Sequence, residues 1–182
     1  CVFCFQYRLL QENISILHAS LTMRRILFAS LFALITLGVP MALALVDHEP
    51  IVIDGDTGFV SGGYPGSGTE NDPYRIRGLH IVTDVSHRNG VEVKNTDAYF
   101  VVEDCLIEAD YIGVLVTDAF TGTALISDNV IVGMTGDGGG ISLECDGAVV
   151  VNNTCVGFAV GLHTNYADDC RLEFNNFSYN GY

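Results

Sequence analysis

The sequence predicts an all-β fold, a single-stranded parallel β-helix of about 22–24 residues per coil, and three observations carry that reading. A glycine followed by alternating apolar residues recurs at Gly90, Gly113, Gly140 and Gly161, at spacings of 23, 27 and 21 residues. A second column recurs at Cys105, Asn129, Asn153 and Asn175, at spacings of 24, 24 and 22. The composition agrees: 49% of the 182 residues are hydrophobic, and 20 glycines stand against only 4 prolines, which suits a packed chain with many tight turns.

Taken in chain order, residues 1–22 precede the first methionine of the sequence, Met23, and carry Cys1 and Cys4 as a C-x-x-C pair with no second Cys/His pair to complete a zinc or redox motif. They are expected to be an upstream extension. Residues 23–44 follow the order of a secretory signal peptide: Arg24-Arg25, the apolar run from Ile26 to Val39, then Pro40 and the small-residue site Ala42-Leu43-Ala44. The alternative is an uncleaved anchor, because the mostly apolar stretch from Ile26 to Val46 is 21 residues long, about bilayer length. Beyond residue 44 the chain has 5 basic and 21 acidic residues, a net of 5 − 21 = −16. That balance excludes phosphate-backbone recognition, so no nucleic-acid partner is expected. The membrane is expected to be met only through the signal peptide or the anchor.

Residues 45–78 form a β-rich opening and capping segment, in which Asp54-Gly55-Asp56 is expected to bond its local backbone as a turn. Residues 79–182 form the coils, each expected to give strands of four or five residues stacked at about 4.8 Å on the next. Inward columns are Val91/Val114/Ile141/Leu162 and Ile107/Ile131/Cys155/Phe177. The coil glycines are expected to supply turn conformations. The column Cys105, Asn129, Asn153, Asn175 is expected to form an inward ladder that satisfies turn backbone and its stacked neighbours. A leucine-rich repeat lacks its Leu-x-x-Leu-x-Leu pattern here, and the single Gly136-Asp137-Gly138-Gly139-Gly140 does not make a calcium-binding nonapeptide array. Gly181-Tyr182 falls where the next coil should open, so further coils are expected beyond it.

These coils resemble the right-handed parallel β-helix repeats of the pectin-lyase-like superfamily, particularly NosD-type and carbohydrate-binding or sugar-hydrolase β-helix domains of archaeal and bacterial envelopes. The opening block strengthens the resemblance: Pro50-Ile51-Val52-Ile53-Asp54-Gly55-Asp56, then Gly66-Ser67-Gly68-Thr69-Glu70-Asn71-Asp72-Pro73-Tyr74-Arg75-Ile76. It covers about Pro50 to Tyr182. The resemblance implies an exported module at the cell surface, in the periplasm or outside the cell, structural or binding a polysaccharide or cell-envelope glycan. Two other activities follow from the same family: a polysaccharide lyase or glycoside hydrolase with catalytic coils partly missing, and a NosD-like copper-processing accessory.

The candidate chemistry is sparse. If Val91 and Val93 face inward, Glu92 and Lys94 face out, as do Leu115/Thr117, Ser142/Glu144 and His163/Asn165 in later coils. Glu144, His163 and Glu92 are therefore the candidate catalytic residues, with Glu144 and His163 expected on adjacent coils. Asp137, Asp146, Asp168 and Asp169 lie in turns and are candidate calcium ligands. Copper is not indicated, because His48, His80, His87 and His163 with Met134 and Met41 make no His-x-His or Met-rich motif. Cys105 and Cys155 are expected as buried thiols, two coils apart. Cys145 and Cys170 could pair across adjacent coils, although their offsets from the coil glycine differ, 5 against 9.

Overall fold

Short Val/Ile-rich runs bounded by Gly, Asn and Asp give fifteen strands in the computed structural model, which describes residues 44–84 and 88–181. They fall into five successive triplets, one per coil: β1 (Val46–His48), β2 (Ile51–Asp54) and β3 (Tyr74–Arg77), then β4 (Leu79–Val82), β5 (Asn89–Thr96) and β6 (Phe100–Glu103). The third coil holds β7 (Leu106–Ala109), β8 (Ile112–Ala119) and β9 (Ala124–Ser127), and the fourth β10 (Val130–Gly133), β11 (Gly139–Glu144) and β12 (Val149–Val151). The last has β13 (Thr154–Val156), β14 (Val160–Thr164) and β15 (Arg171–Glu173). Each coil places one strand in each of three parallel sheets, ordered β1-β4-β7-β10-β13, β2-β5-β8-β11-β14 and β3-β6-β9-β12-β15. The chain is therefore a parallel β-solenoid, and the opening segment is itself its first coil. The expected signal peptide, the C-x-x-C pair and His87 lie outside the described residues, apart from Ala44.

Period-2 alternation sends one column per sheet into the interior. Ile81, Ile107, Ile131 and Cys155 line it from the first sheet, Val91, Val114 and Ile141 from the second, and Ile76, Val102, Ile126 and Val150 from the third, all fully buried. The register pairs them in line, as in Val91↔Val114 and Ile141↔Leu162. Each buried aliphatic side chain contributes about 1.5–3 kcal/mol against the entropy of ordering the coil.

Two expectations change. The coil glycines do not form turns: Gly90, Gly113, Gly140 and Gly161 lie within β5, β8, β11 and β14, and none has a positive φ. They are required by close approach. A Cβ at Gly113 would collide with Ile131 Cγ2 and with the Gly140 carbonyl oxygen, and one at Gly90 would collide with Ile107. The glycine column thus lets the second sheet sit directly against the inward side chains of the first. Left-handed backbone conformations recur instead in another column, Gly78, Asp104, Asp128, Asn152 and Phe174, each one residue before a ladder position or its equivalent.

The second change concerns Asp54 and Asp56. Their carboxylates bond the next coil rather than their own turn: Asp56 Oδ1 accepts from Thr96 Oγ1 at 2.6 Å and from the backbone N–H groups of Asp97 and Ala98, and Asp54 Oδ1 accepts from Asn95 Nδ2. The Thr96 hydroxyl and these amides hold the Asp56 carboxyl below the usual carboxylate value, partly opposed by burial. Asp56 also opens a one-turn helix, α1 (Asp56–Ser61), in the segment expected to hold only strands and turns. Helix α1 drives Phe59, fully buried, into a 4.7 Å stack on Tyr74 and to 5.5 Å from Phe100.

Candidate functional site

The asparagine column forms a continuous hydrogen-bonded ladder. Asn129 Nδ2 donates to Asn153 Oδ1 at 2.9 Å, and Asn153 Nδ2 donates to Asn175 Oδ1 at 3.1 Å. Each side-chain oxygen also accepts the main-chain N–H of the ladder residue in the preceding coil: Cys105 N donates to Asn129 Oδ1, Asn129 N to Asn153 Oδ1, and Asn153 N to Asn175 Oδ1. Cys105 ends the column with its thiol directed at the Glu103 carbonyl, and burial pushes that thiol up. A further asparagine, Asn180, uses the same device at another corner, where Oδ1 accepts from Phe158 N and Nδ2 donates to Cys155 O and Phe177 O. Its single occurrence in the sequence gives no periodic signal.

The outward residues of the second sheet divide into two rows. One runs Val52, Glu92, Leu115, Ser142, His163, and the other Asp54, Lys94, Thr117, Glu144. Ser142 faces His163 in register, while Glu144 lies two residues further along β11. A depression of about 380 Å³ gathers Ser142, Glu144 and His163 with Tyr111, Ile112 and Gly138. Its wall comes from the break in the repeat: residues 134–138 link β10 to β11, where the preceding coil links β7 to β8 with Asp110 and Tyr111 alone. Gly139 N donates to Tyr111 O, and the Arg88 guanidinium lies 4.9 Å over the Tyr111 ring. Among the described residues, the side chains of Ser142, Glu144 and His163 make no hydrogen bond or ion pair with one another or with other protein groups.

Glu92 is different. Its carboxylate accepts from Lys94 Nζ at 3.1 Å and Asn89 Nδ2 at 3.2 Å, which raises the Lys94 pKa and leaves Glu92 two coils from Ser142. The structure therefore joins Glu144 with His163 and sets Glu92 apart. The candidate calcium ligands are also divided: Asp137 lies in the β10–β11 turn, whereas Asp146, Asp168 and Asp169 lie between the second and third sheets, where Asp146 Oδ1 accepts the Asp168 N–H at 2.8 Å. Among the described residues no three His, Cys, Asp or Glu side chains are grouped so as to hold a metal ion.

One cluster has no signal in the sequence. On the outer face of the first sheet, His80 Nδ1 bonds Asp47 Oδ1 at 2.8 Å, and Nε2 lies 3.5 Å from Glu108 Oε1, out of line for a hydrogen bond. The Asp47 bond raises the His80 pKa against the opposing effect of desolvation, with a lesser contribution from Glu108. Asp47 comes from the first coil and Glu108 from the third, so only the register of β1, β4 and β7 reveals their meeting.

Residues 51–182 match the family model described as periplasmic copper-binding protein (NosD). Neither the curated proteins nor the solved structures contain a match.

Proposed function

From the premise that the chain belongs to the NosD family, we propose that it is an exported β-helix module that holds a neutral glycan, from a polysaccharide or the cell envelope, in the Tyr111 depression. The observation that carries this reading is the set of three polar side chains, Ser142, Glu144 and His163, without partners among the described residues around a part-exposed aromatic ring. A sugar ring offers hydroxyl donors to a carboxylate and an imidazole, and an apolar face to an aromatic ring or its edge. The net charge of −16 beyond residue 44 (5 − 21) favours a neutral ligand over a polyanion.

The depression is lined by one carboxylate, whereas glycoside hydrolysis commonly uses a pair, so the arrangement supports binding over cleavage. Copper fits these side chains poorly. His80 is engaged by two carboxylates that favour its protonated, non-ligating form, and among the described residues the depression that holds His163 offers one carboxylate, Glu144, and no second His, Cys or Met. The solenoid positions the groups by rigid strand register, and the longer β10–β11 turn closes one side.

The test is retention of the purified chain on immobilised neutral and acidic polysaccharides, followed by titration of the neutral oligosaccharide retained. Tyr111→Ala and Glu144→Gln are each expected to weaken that binding at least about 10-fold, the loss of roughly 1.4 kcal/mol, with unchanged circular dichroism. Failure of the parent chain to bind any neutral glycan, or undiminished binding by both variants, would overturn the reading.

A further inference from the structure

The corner between the second and third sheets brings together two cysteines that spacing sets apart. Cys145 follows β11 and is buried, with 5% of its surface exposed, and Cys170 precedes β15 in the next coil and is half-buried. Their turns are bonded to each other, Gly147 N to Asp168 O at 2.8 Å and Asp168 N to Asp146 Oδ1 at 2.8 Å. The Cys170 thiol donates to the carbonyl oxygen of Cys145 at 3.6 Å, closer than one strand spacing of about 4.8 Å. Burial pushes the Cys145 thiol up to about 11, and the neighbouring Cys170 sulfur adds to the rise. Cys105 and Cys155 have no such relation: the first faces the Glu103 carbonyl at the end of the ladder, and the second is sealed in the core.

We propose that Cys145 and Cys170 form a disulfide that clamps the fourth coil to the fifth once the chain has been exported. Exported proteins meet disulfide-carrying oxidants that intracellular ones do not, so the oxidant is a thiol–disulfide oxidoreductase in its oxidised form. Cys170, the more accessible sulfur, attacks that disulfide as its thiolate, forms a mixed disulfide and releases one thiol of the oxidant. Cys145 then loses its proton and attacks Cys170 Sγ, which releases the second thiol. Two cysteine thiols become one disulfide, and the oxidant's disulfide becomes a dithiol that takes up both protons. The proposal uses the exported location only to supply the oxidant. It does not depend on what the Tyr111 depression binds.

The full chain, reduced and freed of reductant, is held folded in a buffer of oxidised and reduced glutathione, quenched with iodoacetamide, digested and mapped by mass spectrometry. The expected product is a Cys145-to-Cys170 linked peptide, two hydrogens lighter than its two halves, in most molecules. Cys105 and Cys155 are expected to remain thiols. The unfolding temperature is expected to fall on adding dithiothreitol, a response that Cys145→Ser and Cys170→Ser each remove. Because the oxidation is done in buffer, its outcome stands whether or not the chain is exported. Recovery of both Cys145 and Cys170 in alkylated form from the folded protein, or of the link only after urea denaturation, would overturn the proposal.

Discussion

Replacing Asn153 by alanine removes the middle of the ladder, and the cost can be worked out group by group. Asn153 Oδ1 accepts the Asn129 N–H, and Nδ2 donates to the Ile126 and Val151 carbonyls as well as to Asn175. Asn153 and Asn129 are each 1% exposed, so the orphaned groups lie away from solvent. A buried polar group without a partner costs about 1–3 kcal/mol. The Val151 carbonyl keeps its bond from Asp128 N, so the Asn129 N–H and the Ile126 carbonyl are the main-chain groups that lose the Asn153 side chain, and the expected loss is about 3–4 kcal/mol. Asn175, half-buried in the last described coil, makes fewer bonds, and water can replace them, so Asn175→Ala is expected to lose about 1–2 kcal/mol. Urea unfolding followed by circular dichroism reads the difference. With a slope of about 2–3 kcal/mol per molar for a chain of this size, the Asn153→Ala midpoint is expected to fall by roughly 1–2 M. A fall no larger than that of Asn175→Ala would refute the argument that buried ladder bonds, rather than the aliphatic columns alone, hold the coils in register.

Two further outcomes are expected. Gly113→Ala forces a methyl group into Ile131 and the Gly140 carbonyl and is expected to cost about 3 kcal/mol, whereas Gly136→Ala, at φ 80° in open space, is expected to cost about 1–2 kcal/mol from backbone strain alone; urea midpoints of the two variants check the order. The raised pKa of His80 means that the protonated imidazole binds Asp47 and Glu108 better in the folded state. Its stabilising effect is therefore full below the unfolded-state value near 6.5 and lost as pH rises through the folded value. Between pH 5.5 and pH 8.5 the parent chain is expected to lose more thermal stability than His80→Gln, as read by unfolding temperature across that range.

The ladder positions and the inward columns were legible because a solenoid repeats the same physical demand at the same place, and Asn129, Asn153 and Asn175 meet it with the same side chain. The role of Gly113 was not. A glycine before an apolar alternation reads as a turn, and only the distance to Ile131 shows that the second sheet needs that space. Helix α1 was hidden because six residues including Gly58 carry no helical period; the packing of Phe59 on Tyr74 selects it. Cys145 and Cys170 looked mismatched when counted from the coil glycine, because one precedes the corner and the other follows it. Glu144 and His163 fell close together, as strand alternation implied, while the wall beside them came from the single irregular spacing of 27 residues.

The three-strand coil also governs how the molecule would respond to mechanical load. From the second coil onward every strand pairing ties a residue to the neighbouring coil about two dozen positions away in the chain, as in Val102↔Ile126 and Ile107↔Ile131, and the first coil is tied across longer separations, as in Ile51↔Val91. Tension applied between the ends therefore meets the coils in series, and only one interface need fail at a time. Each failure frees a segment of about 24 residues, roughly 80 Å of extended chain. A tether built this way lengthens in steps of about one coil and leaves the remaining coils folded.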